Sequence, residues 1–234
     1  VPLRRQAHLR QTAGRLLFNR RTGVIAAMCL ATSPLYFLAS HYANLDLEVA
    51  VLITGSLFSF LVAIQYEGWL RKGILWLAYA LSALAVLTKG LIGIIFPMLV
   101  IGTWIAVTRN WAILKKMSLF SGFLIFMLIV APWFWLIYQQ YPNFFYYFFY
   151  IQHYLRFVSA SFNNIQPFWF YLPVVFLGLM PWILFFMEPL RQAIVGLIDR
   201  QKSDQKITFL FLWAVLIFLF FSLSSSKLIG YILP

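Results

Sequence analysis

Five side chains have the types and the placing to act on a charged ligand delivered by the membrane: the cations Lys89, Arg156 and Lys227, and the carboxylates Asp46 and Glu48. Each cation stands beside long apolar runs, where an ionisable group is costly and a functional role is the default reading. A guanidinium matches phosphate oxygens bidentately, which makes Arg156 a phosphate-binding candidate. His153 precedes it by three residues, so on a helix the two share a face. One histidine is thin support for a metal, because a zinc site takes three or four protein ligands. His41, Asn163, Asn164 and Gln166 complete the polar set. Isolated cations with two adjacent carboxylates suit a negatively charged lipid such as a lipid phosphate.

Each residue also has a plainer reading. Asp46 and Glu48 open an apolar run, where acidic residues stabilise a helix N-terminus by about 0.3–1 kcal/mol. Lys89 follows an apolar helix and fits a side chain snorkelling to the interface. His41 reads as an interfacial polar residue. The stretch Phe144-Phe145-Tyr146-Tyr147-Phe148-Phe149-Tyr150 reads as an interfacial aromatic belt. Ser224-Ser225-Ser226-Lys227-Leu228 is too polar for a helix interior and fits a re-entrant turn or a span boundary at a water-filled site.

The elements that must position these groups follow from composition. Of 234 residues, 63% are hydrophobic and 10% charged, against about 45–50% and about 25% in soluble domains. No soluble fold of this size hides that much apolar surface. A soluble enzyme, a disordered chain and a nucleic-acid-binding domain are thereby excluded, despite the net charge of +12. The lone cysteine, Cys29, excludes a disulfide framework within the chain and a cysteine zinc cluster. A helix crosses the hydrocarbon core in about 20 apolar residues. Seven candidates meet that need, at roughly 22–40, 47–66, 73–88, 90–108, 118–138, 167–187 and 207–224. The third is short and turns into the fourth through Thr88-Lys89-Gly90. Continuous runs without alternation argue against a β-barrel. The expected class is all-α, a polytopic helical membrane protein. Its organisation is a basic segment, 1–21, and a transmembrane domain, 22–234.

Orientation follows from the basic residues. Fifteen of the 18 lie in segment 1–21 or in the connections after the second, fourth and sixth spans. Those segments share one side, which the positive-inside rule assigns to the cytoplasm. Lys89, Arg156 and Lys227 remain on the other. The net charge then reports topology and contact with anionic membrane lipids, with no nucleic-acid partner. The start at Val1, the lack of a signal-peptide pattern and the stop at Pro234 within an apolar stretch give the expectation of an internal piece of a longer protein.

At these residues the sequence resembles the membrane glycosyltransferases of the protein mannosyltransferase superfamily with the GT-C fold, nearest the bacterial lipid A aminoarabinose transferases. The motifs carrying the resemblance are Thr32-Ser33-Pro34, Asn44-Leu45-Asp46, Leu87-Thr88-Lys89-Gly90-Leu91 and Ala131-Pro132-Trp133. Then come Tyr147-Phe148-Phe149 through His153 to Arg156-Phe157, Pro167 to Pro173 with Pro181-Trp182, Ser226-Lys227-Leu228 and Tyr231-Ile232-Leu233-Pro234. They stand in the family's order over residues 22–234.

The resemblance implies transfer of a sugar from a polyprenyl-phosphate donor to a lipid or protein acceptor at the outer face of the cytoplasmic membrane. It implies that Lys89 and Arg156 hold the lipid phosphate, that Asp46 is a second active-site acid, and that His153 is a ligand to a divalent metal ion. The family's principal acid falls before Val1, so this stretch alone is expected to be inactive. Gln152 stands where the family has Glu, and Lys227-Leu228-Ile229-Gly230 departs from the usual Lys-Leu-Pro-Thr.

Such chemistry suits the residue types. Displacement of a phosphate leaving group needs cations on the departing oxygens, here Lys89, Arg156 and Lys227 as substrate-binding groups. It also needs a carboxylate as general base near the acceptor. The alternatives are a secondary transporter or lipid flippase, which would carry its site near the midplane and often shows repeats, and a structural membrane subunit, which leaves the outward cations unexplained.

Overall fold

The computed structural model describes residues 20–41, 45–155, 165–198 and 204–234. Helices dominate, and among the described residues extended pairing is limited to an isolated antiparallel bridge, Ile165 with Ser226. The chain runs through α1 (Arg20–Thr32), α2 (Pro34–His41), α3 (Leu45–Ala63), α4 (Gly68–Lys89), α5 (Ile92–Thr108), the short α6 (Ala112–Lys116) and α7 (Leu119–Gln140). A π-helix, Tyr146–Leu155, follows. Beyond it come α8 (Tyr171–Gly178), a 3-10 turn at Trp182–Phe186, α9 (Met187–Ile198), α10 (Gln205–Leu223) and a 3-10 turn at Ile229–Ile232.

All seven expected spans are helical, with three corrections. The first is broken, α1 and α2 meeting at 62° beside Ser33 and Pro34. The sixth is broken more sharply, at 106°. The third, α4, begins at Gly68 rather than near 73 and is 22 residues long; the short one is α5, with 17. Charge misplaced that boundary. Arg71 and Lys72 lie inside the first turns of α4, and Lys72 Nζ sits 4.8 Å above the Trp69 ring. Long cationic side chains on a helix end reach the interface without breaking the helix.

The core forms where α3, α4, α5 and α10 converge. Ile53 and Leu57 of α3, Leu75 of α4, Phe96 and Trp104 of α5 and Phe209 of α10 are buried together. Trp104 meets Phe60 and Phe209 edge-on, with ring centroids 6.0 and 5.6 Å apart. Its indole N–H donates to Gln205 O at 3.1 Å, joining the end of α5 to the start of α10. Three polar side chains within the apolar layer find backbone partners, which offsets the cost of burying them. Ser56 Oγ donates to Ala78 O (2.9 Å), Ser82 Oγ to Gly93 O (2.6 Å) and Tyr79 OH to Met117 O (3.2 Å).

The α4–α5 connection is the tight hairpin expected. Gly90 caps α4 at φ 91°, a conformation costly for residues bearing a Cβ, and its N–H returns to Val86 O at 2.8 Å. This turn delivers Lys89 to one end of the bundle, where α3 begins and α10 ends. Arg71, Lys72, Lys115, Lys116 and Lys206 fall at the helix termini of the opposite end.

Candidate active site

Asp46 is the second residue of α3 and Lys89 the last residue of α4, and their side chains form an ion pair. Antiparallel packing of these two helices places the start of one beside the end of the other. Asp46 is 6% exposed, so its carboxylate is held out of bulk water. Glu48 behaves differently: two residues further along α3 it is exposed. The adjacent carboxylates thus separate, and Asp46 alone enters the site. Its place in the first turn also suits the positive end of the helix dipole.

Tyr231, in the turn after α10, lays its ring over Lys89, with Nζ 4.6 Å from the ring centroid. Such cation–π contacts contribute about 0.5–2 kcal/mol. Gly230 approaches Asp46 so closely that a Cβ there would collide with the carboxylate. Tyr36 OH donates to Leu233 O at 2.7 Å, and the buried Tyr171 donates to Leu228 O at 2.9 Å. Residues 224–234 are thereby folded across the ends of α2, α3 and α8, where the polar sequence pointed to a re-entrant turn.

Together these groups line a cleft of about 540 Å³. Asp46 and Lys89 supply its charge. Leu91 and Ile95 of the α5 end, Phe220 and Phe221 of α10, and Phe148 and Phe149 of the π-helix supply its apolar walls. The aromatic stretch therefore does more than mark an interface: Phe134 on α7 packs against Phe144, Phe145, Phe148 and Phe149, anchoring the π-helix beside the cleft. Gln152 also lines it, and Gln152 Nε2 donates to Tyr147 OH at 2.6 Å. A larger apolar cavity, about 1180 Å³, lies among α1, α2, α3, α9 and α10, but its lining carries no Asp, Glu, His, Lys or Arg side chain.

The other sequence candidates divide. Lys227 is 4% exposed and donates through Nζ to Ser224 O and, at 3.0 Å, to Gln166 O. Burial holds its ammonium below the ordinary lysine pKa. His41 is apart from the site, its Nδ1 2.8 Å from Phe37 O of its own helix. His153 belongs to the π-helix, but its side chain is outside the described structure, as are Arg156, Asn163 and Asn164 altogether. Among the described residues no three His, Cys, Asp or Glu side chains converge.

Sequence reasoning did not find the walls or the role of Gly230. Phenylalanines are too frequent in this chain for any one to stand out (25 of them). The one available signal for Gly230 was its departure from the Lys-Leu-Pro-Thr pattern.

A family model described as dolichyl-phosphate-mannose-protein mannosyltransferase matches residues 8–148. The chain is similar to the undecaprenyl phosphate-alpha-4-amino-4-deoxy-L-arabinose arabinosyl transferase of Erwinia tasmaniensis, 33% identical over 94% of this chain and 39% of that protein. It is similar to the protein of that name from Edwardsiella ictaluri, at 32% identity over 95% and 40%. The crystal structure of ArnT from Cupriavidus metallidurans in the apo state matches with a TM-score of 0.82 and 29% identity, over 96% of this chain and 39% of that one. The structure of ArnT bound to undecaprenyl phosphate matches at 0.79 and 31%, over 88% and 37%. The chain thus spans about two-fifths of the length of these relatives.

Proposed function

Because the chain belongs to the dolichyl-phosphate-mannose-protein mannosyltransferase family, we propose that the whole protein transfers a sugar from a polyprenyl-phosphate donor to a lipid acceptor at the outer face of the cytoplasmic membrane. The names of its relatives favour undecaprenyl phosphate carrying 4-amino-4-deoxy-L-arabinose as the donor, and the resemblance to the lipid A aminoarabinose transferases favours lipid A as the acceptor. The observation that carries this reading is the Asp46–Lys89 pair, set in an aromatic-walled cleft at the sparsely basic end of a helical bundle.

The chemistry follows from charge. When the sugar leaves, negative charge grows on the phosphate that carried it, and a cation already in place stabilises that change without reorganising. Lys89 supplies the cation. Asp46 and the Tyr231 ring hold its ammonium at the cleft while no phosphate is present. An ion pair is close to neutral overall, so attraction for a phosphate needs a second positive group. Arg156 takes that part, with bidentate geometry suited to phosphate oxygens. The apolar walls exclude water and strengthen each of these contacts. By the family resemblance, the base that deprotonates the acceptor is the principal acid of that family.

A transporter fits less well. Its ionisable groups belong near the bilayer midplane, whereas Asp46 and Lys89 stand at helix ends. The test is transfer of the amino sugar from its undecaprenyl-phosphate donor to lipid A by the full-length protein in membranes. Donor-dependent product supports the reading; donor movement across the bilayer without product overturns it.

A further inference from the structure

Lys227 has the charge expected of a phosphate ligand, yet its ammonium is committed elsewhere. It does not line the cleft, and both of its acceptors are backbone carbonyls, Ser224 O and Gln166 O. The first belongs to the turn leaving α10, and the second to the extended segment leading into α8. A buried ammonium needs such dipoles, and carbonyls at a chain turn need donors, so each satisfies the other. Two further ties act on the same stretch: the Ile165–Ser226 bridge and the hydrogen bond from Tyr171 OH to Leu228 O. All three fix residues 224–228, which lead directly into Gly230 and Tyr231. Those two residues touch Asp46 and Lys89.

We propose that Lys227 is a positioning residue: it pins the segment after α10 to residues 165–166, and through that segment sets Gly230 and Tyr231 against the Asp46–Lys89 pair. It acts on the donor phosphate through Lys89 and makes no contact with it. The consequence for sugar transfer rests on the function proposed above; the tie itself does not.

A covalent tie in the same place tests this. Antiparallel bridge partners lie about 4.5–5.5 Å apart at Cα, inside the span a disulfide accepts, about 4.4–6.8 Å. In the full-length protein, Ile165→Cys/Ser226→Cys is built with Cys29→Ser, with and without Lys227→Met. Two quantities are read: the rate of disulfide formation under added oxidant, and transfer in the oxidised and reduced forms. Lys227→Met should slow cross-linking several-fold and, in the reduced form, lower transfer by roughly tenfold, the scale of one buried charged hydrogen bond. Oxidation should then restore most of the transfer in the Lys227→Met background and change it little where Lys227 is present.

A disulfide that forms but restores nothing means that Lys227 contacts the donor, and overturns the proposal. An unchanged cross-linking rate also overturns it. Absence of transfer in the unmodified protein counts against the proposed function alone, and the cross-linking rate still decides the tie. Should Lys227→Met fail to accumulate in the membrane, Lys227→Arg is read by the same cross-linking assay: slower closure supports the tie, and closure at the parent rate overturns it.

Discussion

Gly230 lies against the carboxylate of Asp46, at a distance that leaves no room for a Cβ. A residue in the turn after α10 therefore limits the position of an acid at the start of α3. That acid in turn holds Lys89 at the end of α4. Three elements distant in sequence meet in one charge arrangement, and it depends on an absent methyl group.

Gly230→Ala should displace Asp46 and lower transfer by roughly tenfold, while the protein stays folded. Gly73 provides the control. It lies in α4 with open space around it, so Gly73→Ala meets no atom and gains helix propensity, about 1 kcal/mol. Transfer assays and thermal unfolding of both variants check this. Equal transfer in the two would show that the Asp46 position does not matter to the reaction.

Asp46 and Lys89 should be energetically coupled. Residues in direct contact show interaction energies of about 0.5–3 kcal/mol in double-mutant cycles. Asp46→Asn, Lys89→Met and the double variant, each measured for transfer, give that value. Losses that simply add would mean that the ion pair has no bearing on catalysis.

Topology gives a prediction independent of chemistry. Cysteines introduced near Asn163 should label from outside the cell, and cysteines near Lys202 should not. The motive is the uneven split of basic residues and the placement of Lys89 at the opposite end from Lys115 and Lys116. The reverse labelling pattern would move the cleft to the cytoplasmic side.

The parts of this fold that hydrophobicity governs could be read from the sequence. Apolar length located all seven helical stretches, and the Thr88-Lys89-Gly90 turn announced the α4–α5 hairpin. Charge as punctuation failed at Arg71 and Lys72, because snorkelling cations extend a helix instead of ending it. The breaks beside Ser33 and around Pro181 were hidden for a different reason: a bilayer helix tolerates proline in some places and bends at it in others, according to its neighbours. At the site, the types of Asp46 and Lys89 were legible, but their pairing was not, since it arises from the antiparallel contact of α3 with α4. Lys227 shows the limit most clearly. Its charge and its outward place pointed to phosphate, whereas its acceptors are two carbonyls that no sequence pattern reveals.

As proposed above, Lys89, held by Asp46 and Tyr231, is a cation for the donor phosphate. Equilibrium binding of undecaprenyl phosphate to the purified full-length protein tests it most directly, comparing the unmodified protein with Lys89→Met and Arg156→Ala. A charge-assisted hydrogen bond contributes about 1.5–3 kcal/mol, so each variant should bind roughly tenfold or more weakly at unchanged folding. Unchanged affinity in Lys89→Met, with the protein intact in the membrane, would contradict the claim and leave Lys89 as a lysine that merely reaches the interface.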